Sequence, residues 1–595
     1  MTSFKLRLGW VHVSAVILML TAVAVVLACS PVERLHTDPS RWMYEAVRIS
    51  VGDIPYRDFT WQYFPAGIYL LGFWVSIIGN TLADFKAFTL ATSALIVALM
   101  WVILACGSQS ILSAGIITVV AAALTSLTFH ERLFSLNLYT PAMTVGLIGV
   151  LVATIGFQRF AQRRDAVNLF VAAIGGTLAA LSKVEFALYV VTISLTVVMF
   201  GHFDKPKWPM LAWVTYYVIP LVLLTTSIIL LVGLQAGFRL MMYGLSGYGV
   251  AKSELYSLTH LSPDRYIDFI LALIYLILGV ALAFKLFSPE VYSQVMLRQR
   301  TVAWLGDWAG SLIVLLVLLL TIVFIGVNRS YLAFILRSLV GNAAWIAAGF
   351  LPAAFVLRYF GRGINPITAE AWTAILLATA VLTTSSRSML WGSRHHATQI
   401  FSGTCLIGYF IAVVAATRSR LIGSTINVGI CLSGLLLSAA TLRALHHRPW
   451  VTLHTERGDV RILPWIGPPL QQTLAWLKLN TSPSTYIVSA PYGTALNYLA
   501  LRQSPLRQTQ FSRMDDLPVD MREGDLQVFH NTSNLVIISQ LEPESFVGPE
   551  LSEAWSRAEN PDLWAQIDRD FVLVARFEDV AVTYVVRERI SFPPQ

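Results

Sequence analysis

Long unbroken apolar runs, separated by short polar clusters, fill the first three quarters of the chain. A helix needs about 20 apolar residues to cross a bilayer. The pattern predicts thirteen such spans: residues 8–29, 86–106, 110–128, 138–157, 167–182, 185–201, 210–234, 266–287, 309–327, 338–356, 367–384, 399–416 and 421–444. Helices are expected because backbone polar groups in lipid must be satisfied within the segment itself. Past about residue 445 the pattern changes. A helical stretch from Gln471 to Lys478 leads into the buried-strand run TYIVSAP, and a second helix is expected from Thr494 to Leu501. Further strands are predicted at NLVIISQ, FVLVARFE and VAVTYVVRE. The expected architecture is a polytopic α-helical membrane region, residues 1–445, followed by a water-soluble α/β domain, residues 446–595.

Composition agrees with the pattern. Of 595 residues, 56% are hydrophobic and only 13% charged, against about 25% charged in a soluble domain. A cytosolic globule and a disordered chain are both excluded. Cys29, Cys106, Cys405 and Cys431 all lie in or beside apolar runs, with no spacing suited to a disulfide framework or zinc. The first run, preceded by Lys5 and Arg7 and ending at Cys29, mimics a signal peptide. Bulky Leu27 sits where a lipoprotein cleavage box prefers a small residue, so the run is read as an uncleaved first span.

Charge sets the topology. Of 42 basic and 34 acidic residues, 13 and 18 lie from Arg448 onward, leaving 29 and 16 to the first 447 residues. The overall excess of +8 is therefore a membrane-loop excess. It is not a nucleic-acid footprint, because no basic stretch is interleaved with stacking aromatics. Lys5 and Arg7, then Arg159, Arg163 and Arg164, Lys205 and Lys207, Arg298 and Arg300, Arg358 and Arg362, and Arg418 and Arg420 fall in alternate loops. These mark the cytoplasmic side. An odd span count then puts the N-terminus inside and everything after about Leu445 outside.

The outer loops are unusual. The first, residues 30–85, is long, and it carries HTDPSRWMYEAVRISVGDIPYRDFTWQYFPAGIYLLGFWVSIIG from His36 to Gly79. Asp38 stands at the mouth of the first span. A helix through Tyr44 and Ala46, a Gly-Asp turn and Tyr56-Arg57-Asp58-Phe59 follow. Pro65 then introduces an apolar helix of about 14 residues, too short to span. Such a surface helix pair is foreign to most transporters and channels. Asp38 before Pro39 also fits a helix cap, and Asp58 beside Arg57 also fits a surface ion pair.

This layout resembles the membrane glycosyltransferases of the GT-C fold, and more narrowly the bacterial relatives of protein O-mannosyltransferases and lipid A aminoarabinose transferases (glycosyltransferase family 39). Their first extracytoplasmic loop typically runs D-E-x-x-Y-x-x-A, then a Gly and YxD region, then a Pro-led helix ending in Gly. Here the order is Asp38, Tyr44, Ala46, Gly52, Tyr56, Asp58, Pro65 and Gly79. Pro39 replaces the second acidic residue, which speaks against a carboxylate-pair metal site. Tyr63-Phe64-Pro65 stands where many relatives have Lys-Pro-Pro, so another cation must meet the phosphate.

The resemblance implies transfer of a sugar from a polyprenyl-phosphate donor to an acceptor hydroxyl on a glycan, lipid or protein. It implies inversion and a cell-envelope role in the inner membrane of a bacterium, among membrane lipids and without nucleic acid. No cofactor is expected, and no metal, since no carboxylate neighbours the paired histidines His395 and His396 in sequence. A carboxylate must take the acceptor's proton, and cations must neutralise the leaving phosphate. Asp38 is the expected base, with Asp58 as a second catalytic candidate. Lys183, in ALSKVEF between two spans, is a phosphate candidate, though Glu185 beside it offers simple neutralisation. Arg387, Arg394, His395 and His396 crowd one late outer loop, and Arg132 sits beside Glu131 in another. The Gly- and Tyr-rich loop from Gln235 to Arg265 suits a lid. The alternative class is a transporter or flippase of a lipid-linked saccharide. It would place ionisable residues near span centres, whereas here they gather at one face.

Overall fold

A short helix, α1 (Asp38–Ser50), is buried all round its first half, from Ser40 to Ala46. It turns at Gly52 and runs through residues 53–65 into α2 (Ala66–Ile78), an apolar helix of 13 residues. The computed structural model describes residues 16–24 except 19, 38–107, 114–122 except 120, 140–202, 213–242, 264–288, 343–360, 367–384, 402–409 and 443. In the C-terminal segment it describes 449–490 except 463 and 465, 495–508, 519–541, 557–558, 561–578 and 583–590.

The membrane region is built from α3 (Leu82–Gly107), α4 (Pro141–Arg163), α5 (Ala166–Ala180), α6 (Val184–His202), a π-helical turn Val214–Val218 continuing into α7 (Ile219–Ala236), α8 (Asp264–Phe287), α9 (Ala343–Phe360) and α10 (Ala369–Thr384). Among the described residues, four helices are long and apolar enough to cross a membrane: Leu82–Gly107, Pro141–Arg163, Val214–Ala236 and Ala343–Phe360. The protein is a multi-pass membrane protein. Spans expected at 309–327 and 421–444 lie outside the described residues, and those at 8–29, 110–128 and 399–416 are described only in part.

Local chemistry explains where α4 departs from the expected 138–157. Thr140 caps it, its hydroxyl accepting from the Ala142 amide at 3.1 Å, and Pro141 occupies the first turn. The helix runs on through Arg159 to Arg163, so these cations lie on its last turns instead of in a loop. α4 and α5 cross with backbones nearly touching. A Cβ on Gly149 would stand 2.5 Å from the Ala179 amide nitrogen, and one on Gly175 2.4 Å from that of Ala153. Small residues at such crossings replace the hydrophobic drive that lipid removes.

The C-terminal segment opens with a hairpin the sequence pattern did not predict, β1 (Val451–Thr455) against β2 (Gly458–Ile462). It is followed by α11 (Gly467–Asn480), β3 (Tyr486–Ala490), α12 (Ala495–Leu499), α13 (Val519–Asn531), β4 (Leu535–Leu541), α14 (Pro561–Asp570), β5 (Phe571–Glu578) and β6 (Thr583–Arg589). The four later strands form one mixed sheet in the order β3-β4-β6-β5, with β3 and β4 parallel and the other pairs antiparallel.

This segment docks on the first loop. The Tyr498 hydroxyl donates to the Asn80 carbonyl at 2.9 Å, and the Leu82 amide donates to the Arg457 carbonyl at 2.8 Å. One apolar core runs without a break from Trp42, Trp61 and Phe85 to Leu453, Tyr498 and Ile538.

Candidate active site

Helical spacing places Asp38, Arg41 and Glu45 on one face of α1, at i, i+3 and i+7. Arg41 and Glu45 form a buried ion pair, Nε to Oε1 at 2.8 Å, with side chains 3% and 0% exposed. An ion pair so fully removed from water carries a large desolvation cost. The Arg41 guanidinium also lies 4.8 Å from the Trp42 ring centre. Asp38 is the first residue of the helix; its side chain lies outside the described residues.

Trp42 begins an aromatic cluster. Its ring lies 5.2 Å from Trp61 and 5.9 Å from Tyr63, and Trp61 meets Tyr63 edge-on at 5.6 Å. Tyr63 in turn carries Lys183. The Lys183 ammonium sits 5.3 Å from the Tyr63 ring centre, 3.2 Å from Glu185 Oε1 and 3.4 Å from Met143 Sδ. Lys183 is buried in the turn between α5 and α6, and the Ala66 amide, at the start of α2, donates to the Leu181 carbonyl of the same turn. A Cβ on Gly67 would meet the Ala142 amide nitrogen at 2.5 Å, so α2 sits hard against the start of α4. The first loop and the α5–α6 turn thus meet where Tyr63 packs on Lys183 and the start of α2 bonds to Leu181.

The loop between the two helices is pinned by Tyr56 and Arg48. Tyr56 adopts φ +70°, a left-handed conformation that bulky residues avoid. Its hydroxyl donates to the Tyr63 carbonyl, and its amide to the Phe59 carbonyl at 2.8 Å. Strain of this kind persists only where surrounding contacts enforce it. Arg48 donates to Asp53 Oδ2 at 2.6 Å and to the Asp58 main-chain carbonyl at 2.8 Å. Burial pushes the Tyr56 phenol well above its ordinary value.

Asp58 is engaged within its own turn. Arg57 grips it with two bonds, Nε to Oδ1 at 2.9 Å and Nη2 to Oδ2 at 2.7 Å, and the Ile54 amide donates to Oδ2 at 2.7 Å. The guanidinium holds this carboxyl below the usual carboxylate range, against partial burial.

The chain matches no family model and no curated protein. Among solved structures it is similar to the archaeal oligosaccharyltransferase AglB from Archaeoglobus fulgidus, in complex with an inhibitory peptide and a dolichol-phosphate. There the identity is 12% over 93% of this chain and 72% of that one, with a TM-score of 0.47. ArnT from Cupriavidus metallidurans in the apo state gives 13% identity over 97% of this chain and 98% of that one, TM-score 0.43. An Archaeoglobus fulgidus oligosaccharyltransferase complex with zinc and sulfate gives 11%, 96%, 72% and 0.44.

Of the residues expected from sequence, Asp38 is described by its place at the start of α1, and Lys183 and Asp58 with their side chains. The latter two stand in different surroundings, Lys183 against Tyr63 and Asp58 in the Arg57 turn. Arg132, Arg387, Arg394, His395 and His396 lie outside the described residues. The residues the sequence reading passed over are Arg41, Glu45, Trp42 and Trp61. Their signal is an Arg and a Glu at i,i+4 between large apolar residues, in register with Asp38.

Proposed function

We propose that the protein is a GT-C-type integral membrane glycosyltransferase, moving a sugar from a polyprenyl-phosphate donor to an acceptor hydroxyl on the extracytoplasmic face. The observation that carries this reading is Lys183, a buried cation packed on Tyr63 of the loop that begins at Asp38. A buried, paired lysine beside the short helices of a membrane-surface loop suits recognition of an anionic lipid headgroup.

Asp38 takes the proton from the acceptor hydroxyl as its oxygen bonds to the anomeric carbon. The bond from that carbon to the phosphate oxygen breaks, the electron pair leaves with the lipid phosphate, and the configuration inverts. Charge grows on the phosphate as it departs, so cations held in place beforehand stabilise the transition state more than the ground state. Lys183, Arg132, Arg387, Arg394, His395 and His396 are assigned that role. Asp58, occupied by Arg57 and the Ile54 amide, serves by holding the loop in shape. In this reading there are thirteen spans, the membrane is the bacterial inner membrane, residues 446–595 form an extracytoplasmic domain, and the acceptor is a glycan, lipid or protein.

The test is transfer itself. Membranes containing the chain are incubated with a panel of polyprenyl-phosphate sugars, and release of polyprenyl phosphate together with a new glycoside supports the reading. Uptake or flipping of the lipid-linked sugar without glycoside formation would favour a carrier.

A further inference from the structure

Residues 502–508, between α12 and α13, reach across to the first loop at a place the proposed chemistry does not use. The Ser504 amide donates to the Tyr44 hydroxyl at 2.6 Å, joining this stretch to the buried face of α1. Thr60 is joined to it as well: its amide donates to the Arg507 carbonyl at 3.0 Å, and its hydroxyl lies 2.8 Å from Gln508 Oε1 and 3.4 Å from the Arg507 carbonyl. Thr60 precedes Trp61 directly and stands three residues before Tyr63, whose ring lies over Lys183.

The stretch is held from behind. Asp525 on α13 is buried, and its Oδ2 accepts the amides of both Arg507 and Gln508, each at 3.0 Å. A carboxylate is expensive to bury unless donors converge on it, and these two amides supply that convergence. Leu506 anchors the same stretch in an apolar cluster with Met521, Phe529 and Trp564. Burial raises the Asp525 carboxyl above its ordinary value, while the amides and Arg507 pull it back.

We infer that residues 502–508 are a positioning element for the first-loop site, with Asp525 as the positioning residue that shapes them. The C-terminal segment keeps Tyr44 and Thr60 in place, so that the stretch from Trp61 to Tyr63 stays seated on Lys183. The effect on turnover rests on the glycosyl-transfer reading; the mechanical coupling does not.

Amide hydrogen exchange on the full chain in detergent tests the coupling without substrate. Asp525→Ala should speed exchange at Arg507 and Gln508 and also at Thr60 through Tyr63, by roughly ten- to a hundredfold, while β4 keeps its protection. Asp525→Asn retains an oxygen able to accept both amides and should restore most of the protection. In the transfer assay Asp525→Ala should raise the donor KM more than it lowers kcat, with partial rescue by Asp525→Asn. If Asp525→Ala unfolds the chain, the pair Tyr44→Phe and Thr60→Val touches only the contact and should loosen the same loop. Unchanged exchange from Thr60 to Tyr63, in whichever variant folds, would overturn the positioning role. A wild-type chain that transfers no sugar would overturn the functional reading alone.

Discussion

The Lys183 ammonium lies 5.3 Å from the centre of the Tyr63 ring, so a cation in the turn between α5 and α6 rests on an aromatic face supplied by the first loop. Neither residue explains the other in isolation. A lysine buried in that turn needs its carboxylate partner, Glu185, to offset desolvation. The tyrosine brings the loop to it, and Tyr56 fixes the tyrosine's own carbonyl.

Removing one member of the buried pair leaves the other unpaired. Lys183→Met should destabilise the chain by about 3–5 kcal/mol. Adding Glu185→Gln should return most of that loss, because no lone charge then remains. Thermal unfolding in detergent checks the stability, and donor binding should stay weak in both variants. Recovery of donor binding in the double variant would mean Lys183 is only a structural partner.

The Asp58 turn has a defined acid limit. Its carboxyl is held below the usual range, so its contribution is complete above the unfolded value of about 3.9. That contribution is lost as pH falls through the lower folded value. The pair is partly open to water, which keeps its contribution small. Protection of the Ile54 amide, taken relative to its intrinsic exchange rate, should therefore be insensitive to this group from pH 5 to 8 and should fall only below about pH 4. Asp58→Asn should remove that acid step.

Much of the architecture was legible in the sequence. The strands at 486–490, 535–541 and 571–578 and the helix at 467–480 fall where alternation and apolar runs put them. The β1–β2 hairpin escaped because its strands are five residues long and turn at Glu456 and Arg457, where the pattern offers only weak punctuation. The Arg41–Glu45 pair escaped for a physical reason too. Charges at i,i+4 normally mark a solvated face, and only tertiary packing turns that face inward. Lys183 and Glu185 were visible as charges interrupting an apolar hairpin, but their seat against Tyr63 depends on a contact 120 positions away in sequence.

The late loop offers a direct test of the phosphate assignment. Arg394→Ala should weaken donor binding and slow transfer by on the order of ten- to a hundredfold, the worth of one charge-assisted contact. Arg394→Lys should rescue only in part, since an ammonium lacks the guanidinium fork. Arg387→Ala, closer to the span, should have the smaller effect. Unchanged affinity and turnover in Arg394→Ala would move the donor site toward Lys183 and Arg132.

Orientation is tested independently of chemistry. In the proposed topology the segment after Arg448 lies outside the cytoplasm, so an alkaline phosphatase fusion there should be active. An inactive fusion, with an active cytoplasmic reporter at the same position, would reverse the topology.

The central claim is that Asp38 removes the acceptor's proton. The measurement is sugar transfer from a polyprenyl-phosphate donor by wild type and Asp38→Asn, alongside donor binding and expression of each. An amide keeps the size and capping ability of the aspartate but cannot take a proton. The account predicts that Asp38→Asn folds, binds donor nearly as wild type does, and loses transfer by about a hundredfold or more. Near-normal turnover by Asp38→Asn would contradict it and reduce Asp38 to a helix cap.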